Sequence, residues 1–201
     1  MRKVITALVL TTLLVSCKES IANFTDAQPV NKSNLKSFPK KMQGVYHNAA
    51  FDTDLTIENH IVMLTTHFND TVNTTDLQHL SSEINVRTQP LNDSLFIATY
   101  AVTDTVFALS NQQVLRKWKG HYFLNSQHEN KLWEVKKLTY KDNIVSVSAI
   151  VSEEAIAHLD ELTETTTDSI RPKTYTLDKK QFKQFVRDNG FSENNAYVRK
   201  K

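Results

Sequence analysis

Cysteine and glycine are both scarce in this chain of 201 residues, which contains one cysteine, Cys17, and three glycines. One cysteine cannot form an intrachain disulfide or a zinc site built from cysteine pairs. The few glycines leave no glycine-rich loop to hold a phosphate group or a dinucleotide, and no Gly-x-Ser-x-Gly nucleophile motif occurs. A domain of this composition depends on its hydrophobic core for stability.

A long hydrophobic run is also absent. The apolar stretch 4–15 follows the basic residues Arg2 and Lys3, and it is shorter than the roughly 20 residues that a membrane-spanning helix needs. A basic start followed by a short apolar stretch and small residues is typical of a secretory signal peptide. We therefore assign residues 1–16 to a signal peptide.

The end of this stretch, Leu14-Val15-Ser16-Cys17, resembles the lipobox of bacterial lipoproteins. The resemblance implies cleavage between Ser16 and Cys17 and a diacylglyceryl group on the sulfur of Cys17, which would make this residue the mature N-terminus and a membrane anchor. The alternatives are an ordinary secretory signal with an incidental cysteine, or a free thiol in the core.

An excess of charge of one sign is missing from the mature chain. Without Arg2 and Lys3 the 24 basic residues fall to 22, which equals the number of acidic residues. Nucleic-acid binding needs a basic face or stripe, so we predict no nucleic-acid partner.

The seven histidines show no pattern that indicates a metal site. His60 and His67, like His121 and His128, are seven residues apart, and on a strand this spacing places two side chains on opposite faces. No His-Glu-x-x-His motif occurs either. We predict no metal and no cofactor.

The stretch that follows Cys17 has the composition of a linker. It is rich in Ser, Asn, Lys and Gln and contains two of the four prolines. We predict a flexible tether over residues 17–40, with a root-mean-square reach on the order of 25 to 30 Å. The alternative is that Phe24 and Val30 dock on the folded domain.

Residues 41–151 predict an antiparallel β-domain, either a meander or a partly closed barrel. Apolar and polar residues alternate at 62–68 and 145–151, as in half-buried strands. The short polar segment Lys141-Asp142-Asn143 predicts a hairpin turn. Further strands are predicted at 95–102, 106–109, 113–118, 120–125 and 132–140.

Two irregular features of this region lead to further predictions. The phase of the alternation changes near Lys136-Lys137, which predicts a β-bulge. A recurring Asp-Thr/Ser-apolar pattern predicts turns that lead into strands. This pattern begins at Asp52, Asp70, Asp93 and Asp104.

Residues 152–201 predict two helices packed on the sheet, followed by a basic tail that ends in Arg199-Lys200-Lys201. Ser152 is a suitable N-cap for the first helix. Asp178 with Gln181 forms the pattern of a capping box for the second, and Gly190 fits a Schellman ending. The fold class is thus mainly β (α+β).

Four aromatic residues offer a candidate binding surface. Trp118, Tyr122, Trp133 and Tyr140 lie on neighbouring predicted strands, where aromatic rings can stack on sugars or line an apolar cavity. Packing in the core is the alternative.

The lipobox and three further segments together resemble small predicted lipoproteins of Bacteroidota, of the flavobacterial type. The segments are 38–46 (FPKKMQGVY), 117–125 (KWKGHYFLN) followed by Trp133-Glu134-Val135, and 179–185 (KKQFKQF). The resemblance implies a location in the cell envelope, at the outer membrane, and no assigned activity. It leaves open whether the domain faces the periplasm or the cell surface.

These observations predict a lipid-anchored envelope lipoprotein that is not an enzyme. Its domain would be a binding or interaction module, with an envelope protein, a glycan or a small apolar ligand as the partner. A lipocalin-like carrier of an apolar ligand is the first alternative, and an envelope hydrolase is the second.

Overall fold

The strands predicted from alternating apolar and polar residues belong to one large sheet. The structure is a computed structural model that describes residues 20–163 and 172–200. Within these residues the sheet has thirteen strands and is not closed, and three short α-helices accompany it. The predicted fold class, mainly β and antiparallel with two C-terminal helices, is confirmed. The predicted signal peptide and Cys17 lie outside the described residues.

The secondary structure elements follow one another closely along the chain. The strands are β1 (Ala22–Phe24), β2 (Asn34–Leu35), β3 (Gly44–Asn48), β4 (Thr53–Ile57), β5 (Ile61–Asn73), β6 (Val86–Pro90), β7 (Leu95–Ala108), β8 (Gln113–Trp118), β9 (His121–Gln127), β10 (Trp133–Lys141), β11 (Ile144–Ala149), β12 (Lys173–Tyr175) and β13 (Glu193–Arg199). The helices are α1 (Thr74–Glu83), α2 (Glu153–Thr163) and α3 (Lys179–Arg187), and a 3-10 turn covers Lys40–Met42.

The main path of the sheet runs β2-β8-β9-β10-β11-β13-β3-β4-β5-β7-β6. β1 lies off this path, where it pairs in parallel with β12 and antiparallel with β10. All other strand pairs in the described residues are antiparallel. Among the described residues, no helix is long and apolar enough to cross a membrane.

The central strands carry a hydrophobic core on each face. The helix-side core contains Phe24, Val135, Leu159, Tyr175, Phe182 and Phe185 among others. The strand-side core contains Tyr46, Leu55, Phe107, Leu115, Tyr122 and Leu138 among others. Strands covered on both faces are apolar at neighbouring positions, because successive side chains enter different cores.

The prediction of a β-bulge at Lys136-Lys137 is wrong. The pairing of β10 with β9 runs without a break from Trp133↔Gln127 to Leu138↔Tyr122. Val135 belongs to the helix-side core and Leu138 to the strand-side core. The phase of the alternation therefore changes because β10 contributes to the helix-side core at Val135 and to the strand-side core at Leu138. The register shift lies instead between Val62 and Met63, in the pairing of β5 with β7.

The predicted Asp turns are confirmed at two positions and wrong at two. Asp52 lies in the turn before β4, and Asp93 lies in the bend before β7. Asp70 and Asp104 lie inside the long strands β5 and β7, so the two strands predicted at 95–102 and 106–109 are one. Threonine and valine next to these aspartates favour a strand when a partner strand is present.

β5 and β7 extend beyond the rest of the sheet and form an arm, which we define as residues 67–101. Neither α1 nor β6, which belong to it, was predicted. The residues of the arm are mostly exposed or half-buried, and Ala98 is the fully buried one among those described. The ring of Tyr100 stacks on Phe68 with centroids 5.0 Å apart, and its hydroxyl donates to Asp70 at 2.7 Å. Burial and this hydrogen bond raise the pKa of Tyr100 to about 12.

The prediction of a flexible tether is wrong for residues 20–40. Phe24 is fully buried in the helix-side core, Phe38 is buried in the strand-side core, and Val30 is half-buried. Polar residues of this segment are also held, since the backbone N–H of Gln28 donates to Asn125 Oδ1 at 2.5 Å. Scattered single hydrophobic residues resemble a linker in composition, but here Phe24 and Phe38 each fill a place in a core.

Both predicted C-terminal helices are confirmed as α2 and α3. Asp178 Oδ1 accepts from Gln181 N–H at 2.7 Å, and Gln181 Oε1 accepts from Asp178 N–H at 2.8 Å, which completes the capping box. α3 ends in a Schellman motif in which Gly190 N–H donates to Phe185 O at 2.9 Å. Asn189 takes the left-handed conformation, with φ of 57°. A Cβ on Gly190 would lie 2.1 Å from the Phe185 ring.

The prediction of a basic tail after these helices is wrong for the described residues. The chain returns as β13, a strand in the middle of the sheet between β11 and β3. Arg199 donates from its guanidinium to the carbonyl oxygens of Gln43 and Lys41, at 2.9 and 2.7 Å. The described residues of 152–200 thus complete the sheet as well as packing on it.

Candidate functional site

The four predicted aromatic residues lie on two different faces of the sheet. Trp118 and Trp133 are half-buried against the helix-side core, and the Trp118 ring lies 6.3 Å from that of Phe182. Tyr122 is buried in the strand-side core, where Tyr140 packs at its border. The four rings therefore do not form one binding surface.

A cluster of titratable side chains lies on the outer face of β3, β4 and β5, the face opposite the strand-side core. We call it the Asp54 cluster. His47 Nδ1 lies 2.9 Å from Asp54 Oδ1, and His67 Nε2 lies 3.0 Å from Asp54 Oδ2. Lys200 Nζ donates to Asp54 Oδ2 at 2.6 Å. Three cationic or basic groups thus surround one carboxylate.

Strand register explains why these residues meet. His47 and Asp54 are directly paired partners across the β3–β4 hairpin. Their neighbours in sequence, Tyr46 and Leu55, point into the strand-side core, so alternation directs the polar pair outward. Lys200 continues β13, and its N–H donates to Val45 O at 2.8 Å.

The surroundings of Asp54 keep its carboxylate ionised. Burial alone would raise its pKa, but hydrogen bonds from Lys200, His67 and His47 lower the pKa to about 2. An ionised carboxylate can only accept hydrogen bonds. The proton of each imidazole therefore lies on the nitrogen that faces Asp54, which leaves His47 Nε2 and His67 Nδ1 as the second nitrogens.

This arrangement can hold polar groups. The two imidazole side chains are 32% and 35% exposed, and the Asp54 side chain is 13% exposed. An imidazole whose other nitrogen donates to a carboxylate is fixed in its ring orientation. Within the residues that the structure describes, no group of three or more His, Cys, Asp or Glu side chains is placed to hold a metal ion.

Sequence reasoning missed the Asp54 cluster. A hairpin centred on residues 50–51 pairs position 47 with position 54. A turn predicted there would have brought His47 and Asp54 together. In the sequence, the seven-residue spacing relates His67 only to His60. Lys200 could not be found, because the strand that it follows, β13, was not predicted.

Three exposed aliphatic residues lie beside the Asp54 cluster on the same face, and we call them the outer patch. Val198 is 57% exposed, Ile144 is 39% exposed and Val45 is 38% exposed. Val198 pairs with Ile144 on one side and with His47 on the other. An exposed apolar patch edged by polar groups is typical of a surface that binds another molecule.

A cleft of about 520 Å³ lies where the N-terminal segment meets α3. Val30 and Asn31 line one side, and Asp178, Lys179, Lys180 and Lys183 line the other. Its lining residues are exposed except for Val30, which is half-buried. The cleft is open and basic.

Comparison with known proteins found no matching family model, no similar curated protein and no similar solved structure. The functional argument therefore depends on the chain itself.

Proposed function

We propose that this protein is a lipoprotein of the cell envelope, anchored at the outer membrane through Cys17, and that its domain is a non-catalytic binding module. The outer patch beside the Asp54 cluster is the observation that carries the binding function. Aliphatic residues in the centre and charged or polar residues around them are the usual composition of a protein-binding surface. The partner we propose is therefore another envelope protein.

The packing of the strand-side core favours this function over the lipocalin-like carrier. A carrier needs an internal cavity for its ligand. Tyr46, Phe107 and Leu138 are each at most 2% exposed and belong to one continuous core. Phe38 and Met42 enter the same core.

The first experiment tests the anchor. We expect the wild-type protein in the outer-membrane fraction, and we expect the Cys17→Ser variant to be released or left unprocessed, because it lacks the acceptor sulfur. Protease treatment of intact cells then decides the face, since only a surface-exposed domain is digested. A wild-type protein found in the soluble fraction would contradict the anchor.

The same cells test the binding surface. A photo-crosslinking amino acid replaces Val198 in one strain and exposed Lys131, on a turn, in the control strain. We expect a discrete cross-linked adduct from position 198 and none from position 131. The absence of an adduct at 198, or the same adducts at both positions, would count against the outer patch.

A further inference from the structure

We propose that the folded domain is seated directly on the lipid headgroups, with the surface around Ser20 facing the bilayer. This inference rests on the lipid anchor of the proposed function. The domain then lies closer to the bilayer than the linker-like composition predicts, because very few residues separate Cys17 from the fold.

The described chain is bound into the domain from its first residue. Ser20 is 8% exposed. Its backbone N–H donates to Glu134 Oε1 at 3.3 Å, and its hydroxyl donates to Ala22 O at 2.9 Å. The next residue is held on both sides, since Ile21 N–H donates to Ile150 O at 2.9 Å and Ile21 O accepts from Lys173 N–H at 3.1 Å.

The distance from the anchor follows from chain length. Ser20 comes three residues after Cys17, and three residues span at most about 11 Å when fully extended. The headgroup region of one leaflet is itself roughly 5 to 8 Å thick. With its acyl chains in the hydrocarbon layer, the anchor therefore holds Ser20 at or within a few Å of the outer limit of the headgroups.

The contacts of Ser20 and Ile21 identify the surface that faces the lipid. β1 and β12 run in parallel away from Ser20. The membrane-facing surface therefore contains the start of β1, Ile150 directly after β11, and Lys173 at the start of β12. The basic cleft lies past the other end of these strands, at the start of α3.

Energy transfer from tryptophan to lipid tests this arrangement. Trp133 pairs with Phe24, four residues after Ser20 or about 13 Å along a strand. The full-length lipidated protein is reconstituted into phosphatidylethanolamine–phosphatidylglycerol vesicles that contain a dansyl-labelled headgroup. The variant carries a Gly/Ser linker of about 24 residues between Glu19 and Ser20, with a reach on the order of 25 to 30 Å. We expect the transfer to fall several-fold in this variant.

A matched control carries the same linker between Asp93 and Ser94, in an exposed bend of the arm. We expect its transfer to equal that of the wild type. Equal transfer in the wild type and the Glu19–Ser20 variant, with both proteins co-floating with the vesicles, would overturn this inference alone. A wild-type protein that does not co-float would overturn the anchor and this inference together.

Discussion

At the scale of the residue, Asp54 shows how three strands determine the ionisation of one carboxylate. β3 supplies His47, β5 supplies His67, and the residue after β13 is Lys200. The hydrogen bonds of these groups outweigh the effect of burial and lower the pKa of Asp54 to about 2. Because the pKa is lower in the folded state, the stabilisation is complete above about pH 4 and is lost as the pH falls towards 2.

We expect the free energy of unfolding of the wild-type protein to lose about 2 kcal/mol between pH 4 and pH 2 through this one group. The Asp54→Asn variant should be less stable at pH 7 and should show a shallower decline over the same interval. Urea unfolding at several pH values measures both effects. Asp142→Asn is the control, because that carboxylate is 80% exposed and lies 4.0 Å from Lys141. An unchanged decline in Asp54→Asn would show that the cluster does not stabilise the carboxylate.

At the scale of the element, α1 and α3 have similar N-caps but differ in whether the helix buries a hydrophobic face. Asn73 Oδ1 accepts from Asp76 N–H at 2.9 Å at the start of α1, much as Asp178 caps α3. α1 has no buried residue, whereas α3 buries Phe182 and Phe185. A helix without a buried face depends on its local interactions, because short helices are marginal in water.

The same substitution at the two caps should therefore have different consequences. We expect Asp178→Ala to lower the free energy of unfolding of the whole domain by about 1 kcal/mol. Asn73→Ala should leave this global value within about 0.5 kcal/mol but accelerate amide hydrogen exchange within α1. Urea unfolding and hydrogen exchange, read by mass spectrometry, separate the two effects. An equal global loss in both variants would show that the arm unfolds together with the core.

At the scale of the whole molecule, the N-terminal segment is part of the core. Phe24 is fully buried, and its ring lies 6.5 Å from that of Tyr175. We expect Phe24→Ala to lower the free energy of unfolding by about 3 to 5 kcal/mol, the usual cost of deleting a buried aromatic side chain. Urea unfolding of the purified domain measures this loss.

Phe51→Ala is the comparison for this prediction, because Phe51 is 49% exposed. We expect a loss of less than about 1 kcal/mol there. If the two variants proved equally stable, residues 20–40 would behave as a tether after all, and the close approach to the bilayer would lose its structural support.

Features that depend on neighbours in sequence could be predicted. The turn at Asp142-Asn143, where both residues have positive φ, and the capping box at Asp178 were found from a few adjacent residues. α1 was missed because its apolar residues are few, and Asn73 followed by Asp76 was its one clear signal. The Asp54 cluster joins residues up to 146 positions apart, so no local pattern indicates it.

The sequence alone determined the central strands β8 to β11, the capping groups of the second C-terminal helix, and the lipobox motif at Cys17. These features follow from alternation, capping groups and short motifs, which act over a few residues. Only the tertiary structure decided which layer covers each strand face, that β1 and β13 enter the sheet, and that Lys200 reaches Asp54. An apolar residue in the sequence indicates that its side chain is buried, but it does not indicate which element covers it. The partners of each strand are therefore set by the packing of the whole chain.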